Sequence, residues 1–97
     1  MSSVQLEDLV SQMPEVNEVA AIGLADEKWG ERPLVIVVPV GGADIDKDRI
    51  IAHLRQAVDE GRLSSWAVPD QVRVVDEIDK TSVGKIDKKA LRKKYSG

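Results

Sequence analysis

The stretch "PLVIVVPV", residues 33–40, is an almost unbroken apolar run between Pro33 and the Gly41-Gly42 pair. A strand with water on one face alternates apolar and polar residues, whereas a continuous β-branched run reads as a strand buried on both faces. At 97 residues the chain makes one domain with a single core, burying roughly 60–70% of the surface its unfolded form exposes. The remaining segments must supply what covers that strand.

Leu6, Leu9, Val10 and Met13 recur at helical spacing, with Ser2 or Ser3 placed to cap the start, Glu7 and Asp8 favouring the positive end of the helix dipole, and Pro14 as the stop. "VNEVAAIGLA" is rich in β-branched and small apolar residues and reads as a strand. The polar connection "DEKWGERP" is expected to be an ordered loop, because Trp29 is too large and Gly30 too permissive for a plain hairpin tip. From Asp46 to about Glu60, Ile50, Ile51, Leu54, Ala57 and Val58 line one helical stripe, and Gly61 supplies the stop. "SSWAVPD" reads as a turn, "QVRVVDEI" alternates like a third strand, and Asp87 is the N-cap of a short terminal helix ending at Tyr95. The order is α-β-β-α-β-α, an α+β fold with helices packed on a small sheet of about three strands, and residues 1–97 form one unit.

Charge narrows the partners. Residues 1–79 carry 16 acidic and 7 basic side chains, net −9, while residues 80–97 carry 1 acidic and 7 basic, net +6. A basic end attracts phosphates, but the acidic remainder argues against wrapping a nucleic acid, so a small anionic ligand fits better. The chain contains no cysteine and one histidine, which leaves little material for a metal site or a Ser-His triad. No apolar run is long enough for a membrane span or signal peptide, and a soluble, cytoplasmic protein is expected.

The Gly84-Lys85 pair invites comparison with a phosphate-cradling loop, G-x-x-x-x-G-K-[ST]. It fails at both ends, where Asp79 replaces the first glycine and Ile86 the hydroxyl residue. What survives is a flexible loop, Thr81-Ser82-Val83-Gly84, that presents Lys85 just before a helix. Physical chemistry alone leaves two readings open. Lys85 is either a mobile point charge on a long stem aimed at an anion, or the flank of a solvated face made by Lys88, Lys89, Arg92, Lys93 and Lys94. His53 lacks a titratable partner and reads as structural; Trp29 and Trp66 read as packing anchors rather than base-stacking platforms; Glu31 and Arg32 read as fixing loop geometry.

Taken together, "SSVQLEDLV", "MPEVNEVAAIGLADEKWGERPLVIVVP" and "WAVPDQVRVVDEIDKTSVGKIDKKALR" resemble the C-terminal domain of adenylate-forming enzymes, the superfamily of acyl-CoA synthetases, luciferases and peptide-synthetase adenylation domains. The resemblance covers essentially the whole chain, and the ending "KTSVGKIDKKALR" looks most like fatty-acyl or medium-chain acyl-CoA ligases. It implies a small lid that swings between two orientations against a large N-terminal adenylation domain. ATP and a carboxylic acid give acyl-AMP and pyrophosphate, with Mg²⁺; CoA then displaces AMP. By the same resemblance Lys85 is the adenylation lysine, Thr81, Ser82 and Gly84 position its loop, and Lys80, Lys88, Lys89 and Arg92 are candidates for the CoA phosphates. No metal ligand is implied on this chain. Acetylation of Lys85 would remove its charge and silence the enzyme.

Two departures from the family pattern stand out. Asp79 occupies the place of a proline before the lysine loop, and the glycine-rich hinge that precedes "SS" in the family is not in the chain. Met1 reads as a start introduced at a domain boundary, and the chain alone is expected to be catalytically silent. The rival reading is a stand-alone module whose basic C-terminal helix docks on anionic partners, which predicts binding that weakens steeply with salt.

Overall fold

The computed structural model describes residues 3–26, 30–41, 43–69 and 71–95. Its elements follow the expected order: α1 (Ser3–Ser11), β1 (Val16–Asp26), β2 (Gly30–Pro39), α2 (Lys47–Asp59), β3 (Gln71–Val74) and α3 (Lys88–Tyr95). The sheet order is β1-β2-β3. It is mixed, with β1 antiparallel and β3 parallel to the central strand β2.

The apolar run forms β2 and is covered on both faces. Strand alternation sends Val35 and Val37 to one side, where they join Leu6, Leu9 and Val10 of α1 and Ile50, Leu54 and Ala57 of α2. Leu34, Ile36 and Val38 go to the other, against Ala20, Ile22, Ile78 and Leu91 of α3. Each fully buried aliphatic side chain contributes roughly 1.5–3 kcal/mol, so β2 joins two apolar layers that the sheet itself keeps apart.

The signals of α2 act as read. Asp46 accepts a hydrogen bond on Oδ1 from the Arg49 N–H at 2.9 Å and caps α2. The helix ends at Gly61, whose φ of 77° lets its own N–H reach Val58 O at 3.0 Å and the Arg62 N–H reach Ala57 O at 2.9 Å, the Schellman arrangement. His53 Nε2 lies 2.7 Å from the Leu9 carbonyl; a carbonyl only accepts, so Nε2 donates and pins α2 to the end of α1. The structural reading of this histidine holds.

Three local expectations change. The expected loop "DEKWGERP" is largely strand, because the β1–β2 ladder continues through Leu24↔Arg32 and Ala25↔Glu31 to Asp26↔Gly30. Trp29 and the side chains of Trp66 and Glu31, with their expected roles, lie outside the described residues, as do Ser2 and Gly42. The third strand stops at Val74 rather than continuing to Ile78. After the Val75 N–H reaches Val37 O at 2.9 Å, the chain leaves β2 and crosses the sheet so that Ile78 is buried in the layer beneath α3. Glu7 lies past the first turn of α1, too far in to meet the helix dipole well. Its carboxylate instead accepts from the Ala21 N–H at 3.0 Å and meets Lys88 Nζ at 3.1 Å.

Candidate functional site

Lys85 sits on a closed hairpin, more ordered than the flexible loop expected. Its base is tied by the Asp87 N–H to Asp79 O at 2.9 Å, and Lys80 and Ile86 form an antiparallel bridge above it. At the tip the Thr81 N–H reaches Lys85 O at 2.7 Å and the Gly84 N–H reaches Thr81 O at 2.9 Å. Gly84 has φ 84°, the left-handed residue that closes a three-residue hairpin loop after a tight turn. Thr81 and Gly84 make the turn's backbone hydrogen bonds, and Thr81, Ser82 and Gly84 are all exposed. Immediately afterwards Asp87 Oδ1 accepts from the Ala90 N–H at 3.0 Å and starts α3. Lys85 therefore stands between a fixed turn and a capped helix.

The cations around it are distributed unequally. Lys80 Nζ meets Glu18 Oε2 at 2.9 Å, and Lys88 Nζ meets Glu7 Oε1 at 3.1 Å. Lys85 is exposed and has no ion-pair partner among the described residues. Lys89, Arg92, Lys93 and Lys94 are exposed along α3, as a solvated face requires, whereas Lys88 is half-buried. The structure thus separates the members of the expected CoA-phosphate group: Lys80 and Lys88 are paired to acids, and Lys89 and Arg92 face solvent. Among the described residues no cluster of three or more His, Asp or Glu is arranged to hold a metal ion.

Beside α2, a cleft of about 380 Å³ is lined by Arg32 of β2, Lys47, Ile51 and Arg55 of α2, and Ser65, Val68 and Pro69. Among the described residues it gathers three cationic side chains and one hydroxyl. Part of this grouping could be found from sequence, since Lys47, Ile51 and Arg55 are spaced four apart and share one helical face. Arg32 could not, because only the sheet brings the start of β2 beside α2.

A family model described as "AMP-binding enzyme C-terminal domain" matches residues 5–85, from α1 through the hairpin lysine. The chain belongs to this family. As an AMP-binding enzyme C-terminal domain it is similar to the long-chain-fatty-acid–CoA ligase of Thermus thermophilus, at 38% identity over 98% of this chain and 17% of the relative. It is also similar to the indoleacetate–CoA ligase of Aromatoleum aromaticum, at 34% identity over 91% of this chain and 16% of the relative. Among solved structures, the Mycobacterium tuberculosis fatty acyl CoA synthetase matches with TM-score 0.82 and 34% identity over 97% of this chain and 18% of that one. Apo MatB from Rhodopseudomonas palustris matches with TM-score 0.86 and 30% identity, covering 98% and 18% respectively. The chain thus spans about one sixth of the length of the curated relatives it matches. The matched relatives include acyl-CoA ligases, fatty-acid–CoA ligases among them.

Proposed function

We propose that this domain is the mobile lid of an ATP-dependent, AMP-forming acid–CoA ligase, and that Lys85 is the cation that assists adenylate formation. The observation that carries this reading is the difference between Lys85 and its neighbours: Lys80 and Lys88 are neutralised by acids, while Lys85 extends exposed from a closed turn with no ion-pair partner among the described residues. In the first half-reaction the substrate carboxylate attacks the α-phosphorus of ATP and pyrophosphate leaves. An anion approaches an anion, and two unit charges about 4 Å apart interact by roughly 4 kcal/mol at an effective dielectric near 20. An ammonium touching both groups offsets that repulsion and orients them. Lysine suits the task because its charge is compact and its stem reaches across a domain boundary. ATP, Mg²⁺ and the acid are held mainly by the N-terminal adenylation domain of the same enzyme, in the cytoplasm, and the lysine-loop motif favours a fatty acid.

In the second half-reaction the thiol of CoA attacks the acyl carbon and AMP leaves. The cleft lined by Arg32, Lys47 and Arg55 is a second candidate for the CoA phosphates beside the cations of α3, since it brings three cationic side chains to one concave site. The cleft and the Lys85 hairpin have no residue in common, and a lid that rotates between half-reactions would present each in turn.

The test is single-turnover kinetics of Lys85→Ala in the full-length enzyme. Acyl-AMP formation is expected to fall on the order of 10²-fold or more, while CoA transfer from supplied acyl-AMP is much less affected. Equal impairment of both half-reactions would show the assignment to be wrong.

A further inference from the structure

We infer that Glu18 and Glu7 are positioning residues for Lys85, forming a two-point carboxylate clamp that aims the hairpin. The inference rests on the role assigned to Lys85 above and extends it to acids that touch neither substrate nor the reacting atoms.

Lys80, at the hairpin base, is held by both oxygens of Glu18, at 3.0 and 2.9 Å. Lys88, in the first turn of α3, is held by Glu7 Oε1 at 3.1 Å. The two lysines flank the hairpin, and both acids lie on or beside β1. Glu18 has the same strand parity as Ala20 and Ile22, and so belongs to the face that carries Ile78, Ile86 and Leu91. Glu7 comes from α1 and is itself fixed to the β1 backbone by the Ala21 N–H at 3.0 Å. The clamp therefore ties the hairpin to the edge strand of the sheet at two points.

Among the described residues Lys85 has no ion-pair partner to orient it, so its aim is inherited from the hairpin base. The base hangs from the rest of the domain through Ile78 and Ile86, apolar contacts that resist separation but have no directional preference. Ion pairs with defined donor and acceptor atoms supply the direction. The magnitude makes this testable. An exposed pair such as Lys80–Glu18, with side chains 43% and 28% exposed, contributes little to folding, but a shift of about 1 Å at a reacting group can lower the rate about 10²-fold. Loss of Glu18 should therefore register in the chemistry before it registers in stability.

The experiment compares wild-type full-length ligase with E18Q, the charge swap E18K/K80E, and K85A. Each half-reaction is followed by single turnover, and hydrogen–deuterium exchange is measured on the peptide 79–87. E18Q should keep the wild-type melting temperature, exchange faster in that peptide and form acyl-AMP about three-fold more slowly, with CoA transfer from supplied acyl-AMP unchanged. The swap should restore both exchange and adenylation. If E18Q matches wild type in adenylation while K85A does not, the clamp is overturned and the role of Lys85 stands. If E18Q slows both half-reactions equally, Glu18 is merely structural. If K85A forms acyl-AMP normally, the reading of Lys85 fails and the positioning role falls with it.

Discussion

Lys85 was visible in the sequence as a lysine after a glycine, but apart from the family resemblance its charge alone did not separate it from six other basic residues in the last 18. The distinction lies in partners: Glu18 is 62 positions from Lys80 and Glu7 is 81 from Lys88, separations at which charge pattern carries no contact information. Gly84 could be read further, since a glycine at a turn suggests a left-handed residue, and φ is 84°. A Cβ built at Gly84 meets nothing within 4 Å, so the cost of Gly84→Ala is conformational rather than steric. It should destabilise the domain by about 1 kcal/mol, with Gly84→Asn costing less, as urea unfolding would measure. Equal stability of all three variants would refute the account of the turn. The departure at Asp79 has a small structural footprint, because Asp79 contributes its backbone carbonyl to the hairpin, a group that proline also has.

Among the elements, those whose signals are local were the ones read correctly. α2 follows its apolar stripe and both caps, and α3 starts where Asp87 indicated. Eight residues are too few for a helix to persist on its own, so α3 depends on its cap and on Leu91, which is 1% exposed. Asp87→Ala should cost about 1 kcal/mol and speed amide exchange in residues 88–95, while Asp87→Asn should retain most of the protection. Matching exchange in Asp87→Ala and wild type would show that the cap is dispensable. The strand ends were misjudged, and for one reason: a strand lasts as long as its partner is available. "QVRVVDEI" alternates beyond Val74, but the ladder with β2 ends there, whereas Ala25 and Asp26 continue β1 beyond Leu24 because Glu31 and Gly30 pair with them.

In the whole molecule, the sheet separates two apolar layers, to both of which β1 and β2 contribute alternate residues. Ile50 belongs to the layer with α1 and α2, and Leu91 to the one with α3. Ile50→Val should cost about 1 kcal/mol and Leu91→Ala about 2–5 kcal/mol, and in the double variant the losses should add to within about 0.5 kcal/mol. A larger coupling in denaturant unfolding would mean that the layers respond as one. Composition, periodicity and capping residues were enough to establish an α+β unit with a doubly covered central strand, its three helices and the exposed glycine–lysine turn, because each depends on interactions within a few residues or on burial of a continuous run. Strand pairing and the fate of individual charges were settled only when the chain closed on itself. A ladder's length depends on its neighbour, and whether a lysine is neutralised or left to act depends on which carboxylate the fold brings within about 3 Å of it.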